Sequence, residues 1–161
     1  MSAMSQVSFQ WKAFDALNLA QLYQLLRLRQ QVFIVEQQSI YDDIDNEDQH
    51  SMHGLLSSKE RLVGYIRLRV LTDIIKIERV VLEPESRGKK LGMVLMNQAL
   101  DKATDLNARL PLMLSAQTEA QQFYQQWGFK VCSSAYDDGG ILHVDMRREP
   151  GESQRPRTTS G

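Results

Sequence analysis

The stretch from Glu78 to Gly92, ERVVLEPESRGKKLG, constrains the fold more than any other part of the 161-residue chain. Apolar and β-branched residues run up to a proline, a charged turn follows, and apolar residues then recur at helical spacing. This predicts a buried strand over Ile75 to Leu82, a tight turn after Pro84, and a helix opened by Arg87, Gly88, Lys89, Lys90, Leu91 and Gly92. Gly92, Leu95, Met96, Ala99, Ala103 and Leu106 share one face of that helix, and the small residues among them allow close approach to a sheet. The first N–H groups of a helix have no internal partner and carry the positive end of its dipole, so the turn suits a phosphate group, with a diphosphate as the expected ligand.

The rest of the chain supplies a sheet for this unit. Val7, Phe9 and Trp11 alternate with polar residues as a half-buried strand requires. Asn18 caps a helix whose Leu22, Leu25, Leu26, Val32 and Phe33 run towards Glu36. Strands are predicted near Met52 to Ser57 and Leu62 to Leu71, the second with Leu62, Gly64, Ile66, Leu68 and Val70 on one side. Leu110 to Ala116 reads as a buried strand, and Ala120, Phe123, Tyr124 and Trp127 as a compact helix stopped by Gly128. Two last strands, Phe129 to Ser134 and Ile141 to Arg147, flank a DDGG turn. The order β, α, β, β, β, α, β, α, β, β gives an α/β fold built on one sheet, a single domain over residues 7–148. Residues 1–6 and 149–161 carry nothing to anchor them to a core and are expected to be disordered tails.

The net charge of −1 offers no basic face for nucleic acid, and no apolar run is long enough to span a membrane. The single cysteine, Cys132, lies in an apolar stretch and reads as a buried small hydrophobe in a reducing, cytoplasmic setting. His50, His53 and His143 lack metal-ligand spacing, so no metal is expected. The run from Glu36 to Asp48 holds Glu36, Asp42, Asp43, Asp45, Glu47 and Asp48 without a Lys or Arg. It reads either as a solvated loop or as an attractor for a cationic amine.

Two segments carry a family resemblance. Arg87, Leu91 and Gly92 fit the acetyl-CoA signature R/Q-x-x-G-x-G/A of the GNAT superfamily, with Lys90 standing where that pattern has glycine. Leu114 to Phe129 is similar to the GNAT segment N-x-x-A-x-x-F/L-Y-x-x-x-G-F following a buried strand, with Gln117 at the Asn position and Tyr124, Gly128 and Phe129 matching. RQQVFIVEQ, the acidic run and YDDGGILHVDM narrow the resemblance to ElaA-like proteins, over Phe9 to Met146.

The resemblance implies a mixed central sheet of about seven strands, splayed in the middle and flanked by helices. It implies an acetyl-CoA-dependent N-acetyltransferase acting on a primary amine by direct transfer in a ternary complex; a non-catalytic acyl-CoA binding or sensing module is the alternative. Acetyl-CoA would be the acyl donor and a small amine or peptide amine the acceptor, and a homodimer stays open. By position, Val80, Val81 and Leu82 would bond pantetheine through the main chain, Arg87, Gly88, Lys89, Lys90, Leu91 and Gly92 would hold the pyrophosphate, and Gln117 would contact the cofactor. Tyr124 would protonate the departing thiolate. Glu78 is the first candidate base, since period-two alternation puts it on the strand face of Val80. Glu36 is the second, with an Arg29 contact as its structural alternative. Glu36, Arg79 and His143 are the expected acceptor-side residues.

Overall fold

A computed structural model of the chain describes residues 7–151. Of the expected tails at 1–6 and 149–161, residues 1–6 and 152–161 lie outside the described residues, while residues 149–151 are described and exposed, Glu149 accepting from Arg147 Nε at 2.6 Å. Eight strands form one sheet: β1 (Val7–Ala13), β2 (Met52–Ser58), β3 (Arg61–Val70), β4 (Ile75–Leu82), β5 (Leu112–Gln117), β6 (Lys130–Val131), β7 (Tyr136–Asp138) and β8 (Ile141–Arg148). Their order is β1-β2-β3-β4-β5-β8-β6, with β7 also pairing β8. Only β4 and β5 run parallel; the other pairs are antiparallel. The fold is a mixed α/β sheet, as the sequence predicts, with one strand more than expected. The predicted Phe129–Ser134 element shortens to β6, and the extra strand is β7, which forms beyond it and runs into the expected DDGG turn.

Helix α1 (Leu19–Arg29) begins with a capping box in which the Asn18 side chain accepts from the Gln21 amide and the Gln21 side chain accepts from the Asn18 amide. It continues into a π-helical stretch, Gln30–Glu36. Helix α2 (Leu91–Asn107) covers the other face of the sheet, and α3 (Gln121–Gln125) follows β5. The main core lies between the sheet and α2, with Ile66, Leu68, Ile77, Leu95, Met96, Ala99 and Trp127 buried in it. A smaller core of Leu25, Leu28, Val32, Leu55, Tyr65 and Val81 lies under α1.

Two expectations change. Leu62 packs with the α1-side core while Ile66 and Leu68 face α2, because the β2–β3 register shifts between Leu56 and Ser57 and breaks the alternation. Cys132 is exposed rather than buried, because it follows β6 at the edge of the sheet, where Lys130 and Val131 are exposed too, its amide still donating to the Asp145 carbonyl of β8 at 2.9 Å. Among the described residues no helix is long and apolar enough to cross a membrane.

Candidate active site

The parallel ladder between β4 and β5 is short. Ile75, Lys76 and Ile77 pair with Leu112, Met113 and Leu114, and the strands then separate. The gap opens into a cleft of about 930 Å³. Val80, Val81, Leu82, Arg87, Gly88, Lys90, Leu91, Gly92, Gln117, Tyr124, Glu78, Arg79 and His143 all line it, so most of the residues named from the sequence meet in one place. Lys89 is exposed and off the cleft wall, and Glu36 is also outside it.

A bulge in β4 shapes one wall. Glu78 is opposite Arg67 and Val81 is opposite Tyr65, so Arg79 and Val80 together face Ile66. Arg79 takes the left-handed conformation, φ 58°. The extra residue reverses the alternation: Val80 and Leu82 pack towards the α2-side core, Val81 towards α1. Glu78 therefore does not share a face with Val80, correcting the period-two expectation. Glu78 instead accepts from Arg67 Nη2 at 3.1 Å and Arg69 Nε at 2.8 Å. Burial alone would raise its pKa, but the Arg69 hydrogen bond and the charges of Arg67, Arg69 and Arg79 hold it below the usual carboxylate range.

The turn before α2 carries Gly88 at φ 77° and Lys90 at φ 63°, ψ 20°. Lys90 is thus the left-handed N-cap of the helix rather than part of its first turn. A glycine would adopt this conformation without Cβ strain. Relieving about 1–2 kcal/mol of left-handed strain outweighs the roughly 0.5–1 kcal/mol of backbone entropy that glycine adds to the unfolded chain. Lys90→Gly is accordingly expected to raise stability by about 0.5–1 kcal/mol, seen as a Tm a few degrees higher by calorimetry; a lower Tm contradicts the assignment.

Arg87 points its guanidinium at Glu36, Nη1 to Oε2 at 2.6 Å and Nη2 to Oε1 at 2.7 Å. This replaces the Arg29 contact considered for Glu36, since Arg29 is fully buried against Asp43 and Asp48. The Arg87 hydrogen bond holds the Glu36 carboxyl below its ordinary value.

Tyr124 sits edge-on to Phe123 at 5.1 Å, beside Trp127. Its hydroxyl finds no hydrogen-bond partner among the described residues, and burial pushes its pKa up to about 12. Phe123 in turn lies against Gly92, where an added Cβ would meet the ring at 3.2 Å and push it back by a few tenths of an ångström.

The β5–β8 half of the cleft is polar. Gln117 is opposite His143, Ser115 is opposite Asp145, and Tyr136 of β7 pairs with His143 from the other side. Tyr136 donates to Asp145 at 2.6 Å and meets the Ser115 hydroxyl. Ser115, Tyr136 and Asp145 were not named from the sequence. Alternation was the available signal, since Ser115 shares its strand face with Gln117, and Asp145 shares its face with His143.

The family model for the acetyltransferase (GNAT) domain matches residues 19–150. The chain belongs to the GNAT acetyltransferase family. It is 38% identical over 138 residues to protein ElaA of Escherichia coli, covering 83% of this chain and 90% of ElaA. The crystal structure of Escherichia coli ElaA superposes with a TM-score of 0.85 at 36% identity, covering 88% of this chain and 99% of that one. An acyl-CoA N-acyltransferase from Pseudomonas aeruginosa gives the same TM-score of 0.85 at 35% identity, with 88% and 99% covered. The GNAT fold with its open mixed sheet is therefore shown, and the relationship to ElaA runs over most of both chains.

In this GNAT protein four carboxylates of the acidic loop are held in ion pairs rather than free to attract cations, while Asp42 stays exposed. Asp43 pairs with Arg29 and Arg79, Asp45 with Arg67 and Arg79, Glu47 with Arg69, and Asp48 with Arg29 and Arg67. His53, fully buried, donates Nε2–H to the Asp48 carbonyl at 2.8 Å and receives the Tyr65 hydroxyl on Nδ1 at 2.6 Å. Burial lowers its pKa and keeps it neutral. The loop is thereby bound to β3, β4 and α1, and its Ser39 hydroxyl donates to the Gly139 carbonyl of the β7–β8 turn across the cleft mouth. Among the described residues no group of three or more His, Cys, Asp or Glu is arranged to hold a metal.

Proposed function

We propose that the protein transfers an acetyl group from acetyl-CoA to a primary amine by direct attack in a ternary complex. The observation that carries this reading is the opening between β4 and β5, which leaves the main chain of Val80, Val81 and Leu82 without a partner on the β5 side. Pantetheine is the kind of extended amide chain that can bond there. Acetyl-CoA is the donor substrate in this reading. Its pyrophosphate meets the N–H groups of the turn from Gly88 to Gly92, with Arg87, Lys89 and Lys90 adding positive charge. Gln117 contacts the donor from β5, and Tyr124 gives its proton to the leaving sulfur.

Glu78 is a weak base in its arginine surroundings, and its role in this reading is to hold Arg69 and Arg67, which bind the acidic loop at Asp45, Glu47 and Asp48. Arg79 and His143 line the acceptor side. Glu36 acts on the donor side, where its carboxylate competes with a phosphate for Arg87. Glu36→Gln is expected to tighten CoA binding about two- to five-fold, the scale of an exposed ion pair, when titrated by calorimetry; unchanged or weaker binding removes Glu36 from that role. The arginine-bound Glu78 also favours, as a second reading, a binding module without turnover.

Calorimetric titration with acetyl-CoA and with CoA, and release of free thiol in the presence of amines, test the proposal together. A micromolar Kd, about −8 kcal/mol, with amine-dependent thiol release is the expected result. Binding without release selects the module, and no binding of either ligand overturns both readings.

A further inference from the structure

The acyltransferase reading, on which this inference rests, requires that a proton leave the acceptor nitrogen as it attacks the thioester. The carboxylates on the sheet floor are engaged: Glu78 by Arg67 and Arg69, Asp145 by the Tyr136 hydroxyl. Asp138 is at the exposed rim, on the β7–β8 turn. We infer that His143, through Nε2, is the general base that takes the acceptor's proton.

The geometry around the ring supports this. His143 Nδ1 lies 2.7 Å from the Ile141 carbonyl oxygen. A carbonyl only accepts, so in the neutral ring Nδ1 carries the proton and Nε2 carries the lone pair. Nε2 has no hydrogen-bond partner among the described residues. The ring stacks on Tyr136, centroids 6.2 Å apart at 23°, which limits its rotation, and the residue is half-buried on the cleft wall next to Gln117. His53 shows the contrasting arrangement, with both ring nitrogens bonded and the side chain fully buried, which suits a structural histidine. His50 is exposed and off the cleft wall.

The step balances without another reactant. The amine lone pair attacks the thioester carbonyl carbon and the C–N bond forms; one amine proton passes to His143 Nε2. As the C–S bond breaks, the Tyr124 hydroxyl proton passes to sulfur, giving the amide and free CoA thiol. The imidazolium then loses its proton to water and the Tyr124 phenolate regains one, restoring both groups. Base and acid thus stand on separate walls of one cleft, His143 on β8 and Tyr124 on α3.

The charged and titratable groups that line the cleft with His143 are Tyr136 and Asp138 of β7, Asp145 of β8, and, on the other walls, Tyr41, Lys76, Glu78, Arg79, Arg87, Lys90 and Tyr124. Tyr136 is held above the ordinary phenol range, chiefly by burial and by its bond to Asp145, and Glu78 below the carboxylate range. Neither produces a rate limb near neutral pH.

The test uses the full chain with acetyl-CoA and four amines, propylamine, phenethylamine, spermidine and lysine amide. For the amine that wild type acetylates best, His143→Gln is expected to lower kcat by about 10²-fold or more while the KM for acetyl-CoA stays the same. Wild-type kcat/KM should rise with pH through a limb that the variant lacks, and added imidazole should restore part of the rate to His143→Ala. A purely structural histidine would alter Tm or KM and leave the limb in place. An active wild type whose His143→Gln variant keeps the same kcat and pH profile overturns the base and leaves the acyltransferase reading standing. A wild type that acetylates none of the four amines overturns that reading and the base with it.

Discussion

Tyr124→Phe lowers the acetylation rate about 10²-fold or more, the scale of a lost general acid, while CoA binding and Tm stay at wild-type values. The hydroxyl has no hydrogen-bond partner among the described residues, so its removal costs the fold no bond. Phenylalanine keeps the ring, and with it the edge-on contact to Phe123. The loss therefore falls on chemistry alone. A phenol with a pKa pushed up to about 12 stays protonated throughout the working range, as an acid must before it acts. The apolar surroundings that raise the phenol also raise the basicity of the leaving thiolate, which without that proton is poorly stabilised in a cleft lined by Phe123 and Leu91. Stopped-flow release of thiol, with parallel calorimetric titration of CoA, separates the two quantities. An unchanged rate removes Tyr124 from the role, and a parallel loss of CoA binding shows that the hydroxyl serves the donor instead.

Features set by neighbouring residues could be read from the sequence, and those set by distant ones could not. Asn18 and Gln21 are three residues apart and form their capping box locally. The strand, turn and helix from Ile75 to Asn107 follow from proline, glycine and helical spacing within one segment. The bulge at Arg79 has no such signal. No glycine marks it, and the ion pairs to Asp43 and Asp45 that accompany its left-handed backbone come from more than thirty residues away. That one residue moved Glu78 off the face of Val80. The acidic loop misled for the same reason: it contains no local cation, and its arginines arrive from α1, β3 and β4. Glu36 finds Arg87 across 51 positions of chain. In the candidate site, the donor half was legible because it sits on contiguous motifs. Ser115, Tyr136 and Asp145 come together only when β5, β7 and β8 pair.

Arg67→Met is expected to destabilise the protein by about 3–5 kcal/mol, the scale for breaking a buried ion pair by removing one partner. Arg67 is fully buried, and its guanidinium meets Asp45 at 2.8 Å, Asp48 at 2.9 Å and Glu78 at 3.1 Å. Methionine fills much of the volume but leaves these carboxylates in low dielectric with fewer partners. The sign with pH follows from their native states. Burial acts to raise the pKa of Asp48 and of Glu78, but the arginine hydrogen bonds and charges outweigh it, and both are lowered. A carboxylate with a depressed native pKa contributes stability above its unfolded value, near 4, and that contribution is lost as pH falls through the native value. Wild type should therefore lose stability below about pH 4. The variant's deficit should be largest at pH 7 and shrink in acid, where protonation removes the uncompensated charge. Urea denaturation at neutral pH and at about pH 4 measures both. A deficit independent of pH would assign the loss to packing, and no deficit at all would mean that Arg29, Arg69 and Arg79 hold the loop without Arg67.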